Sequence, residues 1–196
     1  MGNILTAQLT IIGTRPLLWH SFGLDAIPLT KQERSGVAGN DPEEWRRTVL
    51  LTPEGRLYLP GRYCFGALRD GARHTRRGRK TLQSDLVATL EVMTERAELD
   101  DRRLPDPITT DPTQPVYVDV RSVKNPTTKA RNVRYRVACR PGWRAAFTIQ
   151  WDKTIISRSE LEAIAHDAGR LVGIGSGRQI GLGRFDVDAF TITDGE

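Results

Sequence analysis

Val133, Tyr135, Val137 and Cys139 alternate with Arg134, Arg136 and Arg140, and beyond Pro141-Gly142 the same period returns in Ala145, Phe147, Ile149 and Trp151. Period-two alternation over two adjacent runs demands β-strands buried on one face. The Pro-Gly pair between them predicts a hairpin, with the arginines on the face away from the core. That polar face carries one sign. Between Asp119 and Asp152 there is no acidic residue, while Arg121, Lys124, Lys129, Arg131, Arg134, Arg136, Arg140 and Arg144 all fall there. Soluble domains intersperse both charges, so a one-sign stretch of this length implies a polyanionic partner. Nucleic acid is the default, because phosphate neutralisation with counterion release drives such binding.

The flanking sequence predicts the remaining elements. Leu5, Ala7, Leu9 and Ile11 alternate with polar residues as a first strand that ends at Gly13. An irregular insertion runs to about Asp41, and Val49–Leu51 with Leu57–Leu59 forms a small hairpin. Pro60-Gly61 opens a helix to about His74, with Cys64, Ala67, Leu68 and Gly71 as its packed stripe. Residues 82–99 fit either helix or strand, and Asp100–Pro115 reads as a linker. Val116, Val118 and Val120 alternate again before a loop, Asn125–Asn132. A capping box, Ser157-x-x-Glu160 or Ser159-x-x-Glu162, starts the best helix, whose stripe is Leu161, Ile164, Ala165, Ala168, Leu171 and Val172. The last strand begins at Arg184, with Phe185, Val187 and Ala189 on one face. Strand, helix, hairpin, helix, strand is the order of an α+β, ferredoxin-like (split βαβ, RRM-like) fold: an antiparallel sheet with two helices on one face. The expectation is a single domain over 1–196, with insertions at about 13–61 and 77–132.

With 196 residues and a net charge of +5, the chain can bury a substantial core. Two distant cysteines exclude a disulfide framework or a zinc-type spacing, and fit a reducing compartment. No run is long enough to span a bilayer and the N-terminus lacks signal-peptide features, so a cytoplasmic protein with no membrane partner is expected. No cofactor is expected.

Between the last helix and the last strand lies a loop, Gly173–Gly183, with five glycines in eleven residues. The order helix, loop, strand is the reverse of a dinucleotide-binding fingerprint, and the Gly-Lys-Ser/Thr of a P-loop is absent. A plain cap with a tight turn is the bland reading. Five glycines exceed what a cap requires and would let another backbone, including that of RNA, come close. The run Gly173–Phe185 resembles the C-terminal glycine-rich loop of the RAMP superfamily, the RNA-binding proteins of CRISPR effector complexes. The start, a strand followed by Arg15-Pro-Leu-Leu-Trp-His20, is similar to that of backbone-type members and of RAMP-like proteins of phages and prophages.

The resemblance implies a subunit that assembles head-to-tail as a homo-oligomer on a guide RNA, contacts mainly the RNA backbone, and targets DNA or RNA. It implies RNA contacts at Gly175, Ser176, Gly177, Arg178, Gly181 and Arg184, and at Arg15 and His20. It also implies contacts at Arg62, Arg69 and Arg73 of the first helix, and a thumb at Lys124–Arg134 that includes Lys129 and Arg131. The basic knot Arg76, Arg77, Arg79 and Lys80, with Arg134 and Arg136 of the hairpin, completes the expected surface. Two other readings stand beside it: a guide-independent binder of single-stranded DNA or RNA from a phage, and a RAMP-type endoribonuclease. His20 is the best-placed general base or acid, but no partner group is identifiable, and the spacing of Asp25, Asp41 and Asp70 marks no metal site. No catalytic residue is expected. The phase opposite the hairpin core is Arg, Ala, Thr and Gln, without the stacking aromatics of an RRM reader. Trp19, Trp45 and Trp143 are expected in the core or at subunit contacts.

Overall fold

A computed structural model describes residues 2–21, 41–124, 127, 129 and 131–193, with the side chains at 100 and 101 outside that description. Most of the predicted insertion after the first strand (22–40, with Asp25) and positions 125, 126, 128 and 130 of the predicted loop also lie outside it. The chain runs through β1 (Ile4–Gly13), β2 (Leu17–Leu18), α1 (Glu44–Thr48), β3 (Arg56–Pro60) and α2 (Gly61–Gly71). A two-residue pair, β4 (Arg76–Arg77) and β5 (Lys80–Thr81), precedes α3 (Gln83–Thr89), β6 (Glu91–Val92) and β7 (Arg96–Arg103). Then come β8 (Val116–Lys124), β9 (Arg131–Cys139), β10 (Arg144–Asp152), α4 (Arg158–Asp167) and β11 (Phe185–Ile192). Residues 82–99 are therefore helix, then strand, and β7 extends into the expected linker. No helix among the described residues is long and apolar enough to cross a membrane.

The main sheet is antiparallel in the order β11-β1-β10-β6. Ala7, Leu9 and Ile11 of β1 face the core together with Ala145, Phe147, Ile149 and Trp151 of β10. Cys64, Ala67 and Leu68 of α2 and Leu161, Ile164 and Ala165 of α4 join the same cluster, so both helices cover one face. Burial of this apolar area is the main stabilising term. On the other face Thr6, Gln8 and Thr10 meet Ala146, Thr148 and Gln150, which carries no aromatic platform. Trp19, Trp45 and Trp143 are all core residues. Ser157 starts α4 with the full capping box, its hydroxyl accepting from the Glu160 amide.

The predicted hairpin across Pro141-Gly142 does not form. β9 pairs with β8 and β2, while β10 pairs with β1 and β6. The turn is instead a corner between two sheets. Gly13 N–H donates to the Trp143 carbonyl and Gly142 N–H donates to the Gly13 carbonyl, both at 2.7 Å. A Cβ on Gly13 would sit 2.0 Å from the Trp143 indole, so that ring can lie only against glycine. β10 is thereby drawn alongside β1. Alternation identified both strands correctly but carried no information about their partners. In consequence Arg134, Arg136 and Arg140 do not stand on the open face of the main sheet; Arg134 and Arg136 belong to a second sheet, β2-β9-β8, and Arg140 follows strand β9.

Two helix-end and strand details also depart from expectation. The stripe of α4 stops at Ala168: residues Ala168–Val172 widen into a π-turn, and Leu171 is 48% exposed. A Cβ on Gly169 there would lie 2.2 Å from the Phe185 carbonyl. In β11 the register shifts between Thr10 and Ile11, so Phe190 and Ile192 take the core phase and Ala189 is exposed.

Candidate nucleic-acid interface

The glycine-rich loop docks on β2 as an extra rung of the second sheet. The Ser176 N–H donates to the Leu18 carbonyl and the Gly183 N–H to the Pro16 carbonyl, each at 2.8 Å. All five glycines have positive φ. At Gly175 a Cβ would lie 2.7 Å from Leu17 and 2.8 Å from the Leu18 carbonyl, and at Gly183 it would lie 1.8 Å from the Ile174 carbonyl. Close backbone approach is thus required, but by the loop's own protein neighbours. Within the loop, Arg178–Ile180 form a 3-10 turn whose Ile180 is 66% exposed.

Docking the loop here brings distant cations together. Arg178 bonds Asp70 of α2 at 3.2 Å, and Asp70 also faces Arg69 at 3.0 Å and Arg73 at 3.7 Å. Burial alone would raise the Asp70 pKa; the hydrogen bonds and charges of Arg69 and Arg178 outweigh it and hold the carboxyl below its usual value. Arg62 donates to the Ser21 hydroxyl at 3.2 Å and lies over the Tyr63 ring at 5.5 Å. Arg136 of β9 donates to the Ser176 hydroxyl at 3.3 Å, while its Nε is buried without a partner among the described residues. Burial pulls the Arg136 guanidinium below the usual arginine range. Burial and the Arg136 charge also lower the His20 pKa, which favours the neutral imidazole at pH 7.

Two cavities flank the loop. One, of about 280 Å³, lies between the loop and α2 and is lined by His20, Arg62, Tyr63, Gly66, Ser176 and Arg178. The other, of about 480 Å³, lies between the loop and the β8–β9 hairpin, with Arg121, Lys124, Arg136, Arg178 and Ile180 in its walls. Arg121 is tied to Asp119 at 2.6 Å. Farther along β9, Arg134 is paired with Glu44 of α1 at 2.6 Å. Arg140, exposed at the end of β9, donates to the Thr113 carbonyl at 3.2 Å. Lys124 and Arg131 face each other at the outer end of the hairpin, where the thumb was expected, and Lys129 adopts φ 60 nearby.

Other expected contacts lie elsewhere. Arg77 binds Glu160 through two 2.7 Å bonds and the Ile155 carbonyl at 2.8 Å, and Lys80 binds Asp85 at 2.6 Å. The hairpin carrying Arg76, Arg77, Arg79 and Lys80 is therefore fastened to α3 and α4, and none of the four lines either cavity. Arg15 is exposed beside the Trp143 corner, its carbonyl accepting from the Trp143 indole at 2.9 Å. Arg184 is half-buried at the loop's end with one guanidinium nitrogen buried and without a partner among the described residues. Sequence reasoning missed Tyr63, Gly66, Ser21 and Glu44. Only Gly66 left a signal, as an isolated glycine inside a helical pattern.

The described residues contain no group of three or more His, Cys, Asp or Glu side chains able to hold a metal ion. Asp41 is engaged by Arg47 and Asp70 by its arginines.

No family model matches the sequence, and no curated protein does either. Among solved structures the fold matches a chain of the type III-B Cmr-beta complex bound to cognate target RNA. The TM-score is 0.53 at 12% identity, over 97% of this chain and 61% of that one. At that identity the likeness is one of fold, and this chain spans about 61% of its neighbour's length.

Proposed function

We propose that the protein is a RAMP-like RNA-binding subunit of a CRISPR-like, RNA-guided complex, holding its strand by the backbone. The observation that carries this reading is the convergence of Arg62, Arg136 and Arg178, from three separate segments, on the two cavities beside the glycine-rich loop. Guanidinium groups with spare donors in a shallow cleft suit a chain of phosphates, which binds by charge and fork geometry. The fold shared with a chain of an RNA-bound complex supports the same choice of polyanion. On this reading the whole chain is one ferredoxin-like domain. The β11-β1-β10-β6 sheet with α2 and α4 is its split βαβ body, and β2-β9-β8 with the loop is its RNA-holding side. Copies stack head-to-tail along a guide, with the end of the β8–β9 hairpin as the thumb, and no residue is assigned a catalytic role.

Purification at moderate salt tests it directly. Discrete RNase-sensitive, DNase-resistant material in particles much larger than 21.9 kDa is the expected result. A nucleic-acid-free monomer with no affinity for single-stranded RNA at 50 mM salt would sink the proposal. Length-dependent binding that is indifferent to RNA or DNA would shift it to the guide-independent binder. The place of His20 in the lining of the cavity favours one further reading, an endoribonuclease; cleavage of RNA by the wild type that is lost in His20→Ala is its signature.

A further inference from the structure

Helix α2 holds three glycines, and only two of them are explained by the protein's own packing. A Cβ at Gly61 would meet the Thr94 carbonyl at 2.3 Å, and one at Gly71 would meet the Ala168 backbone at 2.8 Å. Gly66 lies midway along the helix, and apart from its chain neighbours and its own helix backbone no described atom comes within 4 Å of where its Cβ would be. It does not adopt a positive φ. Glycine inside a helix costs about 1 kcal/mol relative to alanine, so this position gives up stability without an internal return. What the missing side chain leaves open is the cavity of about 280 Å³ between α2 and the loop. That volume is near the lower end of the roughly 300–1,000 Å³ typical of small-ligand sites. Arg62, Tyr63, Ser176 and Arg178 line it together with Gly66.

We propose that this cavity seats one nucleotide of an RNA strand, its phosphate between Arg62 and Arg178 and its sugar on the bare helix surface at Gly66, beside Tyr63. The inference rests on the RNA-binding reading above and adds a location to it. Arg62 and Arg178 come from different elements, each with one hydrogen bond to Ser21 or Asp70 that leaves further donors free for a phosphate. A Cβ at Gly66 would occupy the space assigned to the sugar, whereas it would touch no described part of the protein outside its own helix.

Binding of a fluorescein-labelled single-stranded RNA by wild type, Gly66→Ala and Gly66→Leu, followed by anisotropy, tests the seat. The expected result is a loss of a few-fold for Gly66→Ala and about tenfold or more for Gly66→Leu, with the melting temperature of Gly66→Ala unchanged or raised. If Gly66→Leu fails to fold, Gly66→Ala decides, since alanine favours the helix. Wild-type affinity in the folded variants overturns the seat and leaves the RNA-binding function standing. Absence of RNA binding by the wild type overturns the function, and the seat with it. As a second readout, 4-thiouridine placed in the strand should crosslink to the peptide containing Tyr63 in the wild type, and this crosslink should be lost in Gly66→Leu.

Discussion

Two basic clusters, Arg76–Lys80 and the group around Arg62, Arg136 and Arg178, differ in what answers their charge. In the first, Glu160 and Asp85 arrive from α4 and α3 to engage Arg77 and Lys80. In the second, among the described residues, Asp70 is the carboxylate that faces Arg69, Arg73 and Arg178, Arg62 meets the Ser21 hydroxyl and the Tyr63 ring, and Arg136 keeps a buried Nε without a partner. A run of cations in sequence therefore does not say which of them are held in ion pairs. Carboxylates both near in sequence, as Asp85 is to Lys80, and far, as Glu160 is from Arg77, decide which cations fasten elements of the fold together.

The sharpest way to break this contrast is to neutralise each cluster and measure RNA affinity. Removing Arg62, Arg136 and Arg178 together should weaken binding about 100-fold or more near 100 mM salt and lower the log–log salt slope by roughly 2–3. Arg77→Ala with Lys80→Ala should change affinity far less and show its effect as a lower melting temperature. Equal affinity losses would erase the distinction. Next in size are the loop glycines. Gly175→Ala combines positive φ with contacts under 3 Å to Leu17 and Leu18 and should cost about 2–3 kcal/mol in denaturant titration. Gly181→Ala, whose Cβ meets nothing within 4 Å, should cost only about 1 kcal/mol.

Smaller effects come from the fastened hairpin. Ser157→Ala, which removes the α4 cap, should cost about 1 kcal/mol in the same titration. The Glu160 carboxyl is held down to about 2, first by its bond from Arg77, against an ordinary value of 4.5. As pH falls below 4.5 the unfolded chain takes up this proton while the folded one does not. Stability from this group is thus complete above that range and is lost as pH falls through about 2. A melting-temperature series from pH 7 to pH 2 should show this acid limb in the wild type and a shallower one in Glu160→Gln.

Local signals were legible in the sequence wherever the partner was close by. The Ser157–Glu160 box, the α2 stripe and the strands β1, β8, β9 and β10 all follow from periods and caps. Pairing was not, because it depends on contacts across the chain. The indole of Trp143 against Gly13, over a hundred residues apart, turned a predicted hairpin into a corner. Likewise the glycines of 173–183 announced close approach but not what approaches, and the neighbours proved to be β2 at Gly175 and the loop's own residues at Gly173, Gly177 and Gly183. Gly66 was readable only as a blemish in a helix until the space above it could be seen.

Among the described residues the β8–β9 hairpin pairs with β2 at its base, through Leu17 and Leu18 opposite Cys139 and Ala138, and the Trp19 N–H adds a bond to the Val137 carbonyl. Beyond that anchor its rungs continue in unbroken register from Val118–Val137 out to Lys124–Arg131. Inserting two residues in each strand would extend its reach by about 7 Å and leave every side chain facing as before, whereas a single residue would turn the outer faces over. The hairpin is therefore a ruler that can be lengthened in fixed steps, with the body and the glycine-rich loop left as they are.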